Sequence, residues 1–135
     1  MDANGEKNLT ILLQQLEPEL NDGEYVFCTL QENSTIYLTQ VLFSFKEKEG
    51  LTVVLPREAA DKAALPYSFV SSWITLKVHS SLEAVGLTAA FSTALAKAGI
   101  SCNVVAAFYH DHIFVPAKDA KKAMQVLKSC ASQAV

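Results

Sequence analysis

The sequence predicts an α/β (α+β) sandwich built from two halves, mainly antiparallel sheet with helices on one face. Three observations point there. Half of the 135 residues are hydrophobic while only 19% are charged, which is the composition of a chain that buries a core. Stretches of period two alternate with stretches of helical period. From residue 73 onward the elements run β-α-β-β-α, the ferredoxin-like arrangement less its last strand.

In the first half, Leu9, Leu12, Leu13 and Leu16 recur at helical spacing behind Asn8, a residue suited to capping, so a helix is expected over 8–20. A strand is expected over 25–30. Two more, 41–45 and 51–55, flank the charged turn Lys46 to Gly50. Pro56 suits the first position of a short Ala-rich helix reaching Leu65. This half reads α-β-β-β-α, a permuted or degenerate copy completed by a strand over 67–70. The expected division is residues 1–66 and residues 67–135.

The second half is patterned more strongly. Residues 73–79 alternate, with Ile74, Leu76 and Val78 on one face and Thr75, Lys77 and His79 on the other. A helix is expected over 81–98, with Ser80 and Glu83 as a capping box and Gly99 just past its end. Its core stripe is Ala84, Leu87, Phe91, Leu95 and Ala98. That assignment places Gly86 inside the helix, where glycine costs about 1 kcal/mol against alanine. Strands over 102–109 and 113–115 meet at the corner His110-Asp111-His112, read as an Asx-type turn. A last helix, 118–131, exposes Lys118, Lys121, Lys122 and Lys128.

Charge and cysteine usage exclude several classes. The net charge is −3, and the ten lysines are scattered beside a single arginine, Arg57, which argues against a nucleic-acid partner. Cys28, Cys102 and Cys130 lie far apart with no metal-type spacing, as buried free thiols of a reducing compartment do. No apolar run approaches the roughly 18 residues of a membrane span, and the N-terminus has no leader pattern. The reading is a cytoplasmic protein without a membrane or a cofactor.

The runs 74–79 (ITLKVH), 80–87 (SSLEAVGL) and 98–103 (AGISCN) resemble the core of an ACT domain, with Gly86 and Gly99-Ile100 at the matching glycine positions. The longer runs 78–91 and 110–116 (HDHIFVP), with 45–52 (FKEKEGLT), resemble a bacterial group of stand-alone double-ACT proteins. The resemblance implies two ACT-type halves, regulatory binding of an amino acid or similar small metabolite, and no attached catalytic domain. A biosynthetic enzyme is then the regulated partner.

The residues themselves allow such a site at the start of the expected helix, where free N–H groups and the positive end of the dipole attract a carboxylate. The candidate ligand-binding residues are Ser80, Ser81, Leu82, Ala84, Val85, Gly86 and Asn103. Capping and close packing are the bland readings of Ser80, Glu83 and Gly86. The uncharged outer side of the helix, Ala89, Ala90, Thr93 and Ala96, calls for a cover, either the first half or a second copy in a homodimer. His79, His110 and His112 form the alternative, a zinc site. No catalytic triad, phosphate loop or dinucleotide fingerprint is present. An enzyme is not expected; the rival reading is an interaction module that docks on a metabolic enzyme without a ligand.

Overall fold

The computed structural model describes residues 8–31, 36, 38–78 and 85–133. Its chain forms two compact units: Met1–Asn21 with Trp73–Val135, and Asp22–Ser72.

The Asp22–Ser72 unit contains strand β2 (Tyr25–Leu30), a hairpin of β3 (Phe43–Glu47) and β4 (Gly50–Pro56), helix α2 (Arg57–Lys62) and the first residues of β5 (Val70–Lys77). The strand order is β3-β4-β2-β5. β2 pairs antiparallel with β4 from Tyr25↔Pro56 to Leu30↔Leu51, and with β5 at Tyr25↔Ser71 and Val26↔Val70. The hairpin closes at Glu47↔Gly50, so Lys48-Glu49 is its two-residue turn and the strands run further than the alternation suggested. Val26, Cys28, Val53 and Leu55 share a core with Ala60 of α2. Pro56 is the last residue of β4 and precedes α2 rather than opening it. The strand expected over 67–70 begins at Val70.

The other unit contains helix α1 (Leu9–Gln15), strand β1 (Glu17–Leu20), the rest of β5, helix α3 (Leu87–Lys97), strands β6 (Asn103–Ala106) and β7 (Asp111–Pro116), and helix α4 (Ala120–Gln133). Here the order is β5-β7-β6, with β1 paired to β5. The last strand that the pattern from residue 73 lacks is therefore supplied by the N-terminal segment. β1 runs antiparallel to β5, from Glu17↔Lys77 to Leu20↔Ile74. Numbered within a βαββαβ repeat, both units have the same order: second, third, first, fourth.

The expected helix over 8–20 is thus a helix and a strand. Asn8 caps it as foreseen, its Oδ1 accepting from the Ile11 N–H at 3.2 Å. It stops at Gln15 because Pro18 biases Glu17 towards an extended backbone. Proline lacks a ladder donor, which an outer strand such as β1 tolerates. Leu12 and Leu16 are buried in one cluster with Ile74, Leu76, Leu87, Phe91, Leu95, Ile113 and Leu127. At the far end of α3, Gly99 adopts φ +76 with the Ile100 N–H on the Leu95 carbonyl, and Lys122 Nζ donates to the Ala98 carbonyl at 2.8 Å. These satisfy carbonyls that the helix leaves open. Cys28 is buried, while Cys102 and Cys130 are half-buried free thiols.

The start of α3 differs from the expectation. The helix begins at Leu87, and its N-cap is Gly86 with φ 98 and ψ −17. Gly86 is therefore the N-cap of α3 and not a glycine of its interior; the capping box read at Ser80 and Glu83 falls on residues 79–84, which lie outside the described ones. The left-handed backbone favours glycine, and a Cβ there would lie 3.1 Å from Leu9 Cδ2. A side chain there is strained twice, by the backbone and by Leu9. Gly86→Val is expected to cost about 2 kcal/mol, read as a lower urea midpoint at unchanged slope. An unchanged or raised midpoint would contradict this assignment.

Candidate functional site at the end of β5 and the start of α3

β5 ends at Lys77 and α3 begins at Leu87. Val78 is buried and its carbonyl lies 3.5 Å from His110 Nδ1, which places the start of β7 at the same end of the sheet. Leu87, the first residue of α3, is buried in the cluster that contains Val78 and Ile113. Gly86 provides no side-chain cap, and its carbonyl accepts from the Ala90 N–H at 2.9 Å. The N–H groups of the first turn therefore have no intrahelical partner and receive none from the capping residue.

Of the sequence candidates, Val85 is 83% exposed and Gly86 sits at the helix start. Ser80, Ser81, Leu82 and Ala84 lie outside the described residues. Asn103 is a described residue of the sheet. It opens β6 opposite Phe114 and donates to the Phe114 carbonyl at 3.4 Å. The other end of β6, Ala106, pairs with Asp111. Asn103 is three residues away along the strand, roughly 10 Å at the usual rise.

The His110-Asp111-His112 corner is also arranged differently. The turn is Ala107 to His110, closed by the Ala107 N–H on the His110 carbonyl at 3.0 Å. Asp111 and His112 are the first two residues of β7, and Asp111 makes no Asx turn. The two side chains leave the strand on opposite faces. Asp111 is in phase with Ile113 and Val115, both in the core under the helices, and is itself 7% exposed. Burial pushes its carboxyl up, and the charge of His110 pulls it partway back.

On the opposite face lies a polar chain that the sequence did not single out. Asn21, just after β1, donates from Nδ2 to Thr75 Oγ1 at 3.0 Å and to the Trp73 carbonyl at 3.2 Å. Thr75 Oγ1 lies 3.2 Å from His112 Nδ1, and Trp73 Nε1 donates to the same nitrogen at 3.0 Å. An indole N–H only donates, so Nδ1 must accept and carry no proton. The imidazole is then neutral, with its proton on Nε2. Burial lowers its pKa and His110 lowers it further, in the direction the hydrogen bonds require. The available signal was the alternation itself: Thr75 and His112 both fall on the face away from the core, yet Thr75 is buried. Among the described residues, no group of three or more His, Cys, Asp or Glu could hold a metal ion; His79 lies outside them.

The sign of the pH dependence follows. Between the unfolded histidine value, about 6.5, and the lower folded value of His112, the unfolded state holds more protons. Stability is therefore lost as pH falls through that window. Asp111 acts oppositely: its raised folded value means acidification towards the unfolded carboxyl value relieves an unfavourable burial. Nitrogen NMR is expected to show His112 neutral at pH 7 with the proton on Nε2 and an apparent pKa below the ordinary one. A proton on Nδ1, or an upward shift, would contradict the network.

Comparison with known proteins places these features. Two family models, each described as an ACT domain, match residues 4–72 and 68–129. No curated protein gives a match. Among solved structures, the chain is similar to a Vibrio cholerae protein of unknown function, described as a possible transport protein. That likeness has 52% identity, 93% of this chain, 97% of that one and a TM-score of 0.82. An Agrobacterium tumefaciens protein matches at 18% identity over 86% of this chain and 89% of that one, TM-score 0.66. The regulatory subunit of aspartate kinase from Thermus thermophilus matches at 8% identity over 84% and 95%, TM-score 0.57. The two distant structures share the fold. With ACT models covering both repeats, and a half-identical relative along nearly its whole length, the chain belongs to the ACT-domain family.

Proposed function

We propose that the protein is a regulatory binding module whose ligand is a small amino acid, acting by binding rather than by catalysis. The observation that carries this reading is the start of α3. Gly86 opens an eleven-residue helix without a side-chain cap, leaving first-turn N–H groups and the positive dipole end for a carboxylate. The family, and the printed role of the Thermus thermophilus subunit in regulating aspartate kinase, support it. In this reading Ser80, Ser81 and the backbone from Leu82 through Ala84 and Val85 to Gly86 receive the ligand's carboxylate or amine. Asn103, on β6, lines the site in the same reading, and the chain acts as a homodimer with a second copy. The uncharged, exposed Ala89, Thr93 and Ala96 of α3 are the surface such a copy would cover. The regulated target is a biosynthetic enzyme outside this chain.

One specific observation favours a second reading, docking on an enzyme without any ligand. Phe108 and Tyr109 stand 61% and 62% exposed in the β6–β7 turn, and exposed aromatics are typical anchors of protein contacts. A thermal-shift screen against the twenty amino acids separates the two. A ligand at 100 times its dissociation constant stabilises by about 2.7 kcal/mol, a rise of several degrees in Tm. The proposal expects such a rise with one or a few amino acids. No rise with any of them would put the docking reading ahead.

A further inference from the structure

The hydrogen bonds around His112 give its Nδ1 a separate partner in each protonation state. Trp73 Nε1 donates to it at 3.0 Å, and Thr75 Oγ1 stands 3.2 Å from the same atom. With the imidazole neutral, Nδ1 accepts from the indole, and the two ring centroids lie 5.8 Å apart. A proton on Nδ1 turns that acceptor into a donor. The indole N–H, on the positive edge of its ring, then faces another N–H and a positive charge. Thr75 Oγ1 is already in place to accept a hydrogen bond from the new N–H. Asn21 Nδ2, donating to that oxygen at 3.0 Å, fixes its position.

The charged surroundings, among the described residues, are few. On β7 itself the His110 ring is 6.4 Å away between centroids, and Asp111 leaves the strand on the core face. On β5, Lys77 is paired with Glu19 of β1 at 3.2 Å, and Glu17 lies opposite Lys77 in the ladder. β6 presents Val105 opposite His112. No described carboxylate is bonded to the ring to hold a second proton there. Burial and the charge of His110 favour the neutral form, so the ring takes up its proton in mildly acid solution.

We propose that His112 and Trp73 form an acid-actuated latch, in which the neutral imidazole holds the indole and protonation hands His112 to Thr75 and releases it. Histidine suits this role because its charge changes close to neutral pH, and the two alternative hydrogen bonds supply the two-state element that a switch needs. Both rings are half-buried, so the released indole turns towards water. The latch needs no ligand and stands apart from the amino-acid reading.

The test uses the full chain and reads Trp73, its single tryptophan. Emission and the NMR signal of the indole N–H are followed from about pH 8 to about pH 4, with circular dichroism alongside. Both signals are expected to change in one step at the midpoint of the His112 titration seen by nitrogen NMR, while the circular dichroism stays constant. Thr75→Val removes the partner of the charged form and is expected to lower that midpoint by at least about half a unit. His112→Gln keeps an acceptor for the indole but takes up no proton, and is expected to abolish the step. A Trp73 signal that stays flat while His112 titrates overturns the latch. So does a step that coincides with loss of the circular dichroism, a step that survives in His112→Gln, or a Thr75→Val midpoint that is unmoved or raised. If His112→Gln does not fold, the coincidence of midpoints in the wild type and the direction of the Thr75→Val shift decide.

Discussion

Four residues, Glu17–Leu20, paired along β5 from Lys77 to Ile74, hold together most of what is distinctive in the Met1–Asn21 and Trp73–Val135 unit. Without β1 the sheet of that unit has three strands in place of four, and α1 is held only by its apolar face in the core. With it, Leu12 and Leu16 enter the core shared by α3 and α4, and Leu9 comes within contact of Gly86. The same pairing delivers Asn21, whose backbone N–H donates to the Trp73 carbonyl at 2.9 Å and whose side chain reaches Thr75. Thr75 and Trp73 then settle the tautomer of His112. A main-chain ladder thus sets both faces of the strand, an apolar core on one and a hydrogen-bonded row on the other.

The strand order is the same within each unit. Val70–Ser72 close the Asp22–Ser72 unit as its fourth strand, and the chain continues directly into the first strand of the other. Two family models divide the chain in linear order, at 4–72 and 68–129. The compact units divide it differently for residues 1–21. The two divisions answer different questions: one follows the repeats as they are written, the other follows which residues share a core.

Much of this was legible in the chain, and the failures have identifiable causes. The core-facing Ile74, Leu76 and Val78 and the stripe Leu87, Phe91, Leu95 appear as read, because these faces are buried and the period survives. The helix over 8–20 was overextended because Leu20 continues the apolar spacing, while Pro18 and the pairing with β5 decide otherwise. Long-range pairing leaves no mark in a four-residue strand whose burial hardly alternates. Gly86 was placed inside a helix since nothing local distinguishes an interior glycine from one at φ 98; the contact with Leu9, distant in sequence, marks the difference. For Asp111 the turn chemistry of a His-Asp-His run obscured a plainer signal, its phase with Ile113 and Val115.

If the N-terminal segment is an integral part of this unit, its amides must open only when the unit opens. Native-state hydrogen exchange reads this at the Asn21 N–H, bonded to the Trp73 carbonyl, and at the Leu12 N–H, bonded to the Asn8 carbonyl. Both are expected to exchange with the same free energy, and the same denaturant dependence, as the core amides of α3 and β7. Exchange of Asn21 and Leu12 several hundredfold faster than those amides, with little dependence on denaturant, would show a segment that merely rests on the sheet and would contradict the account.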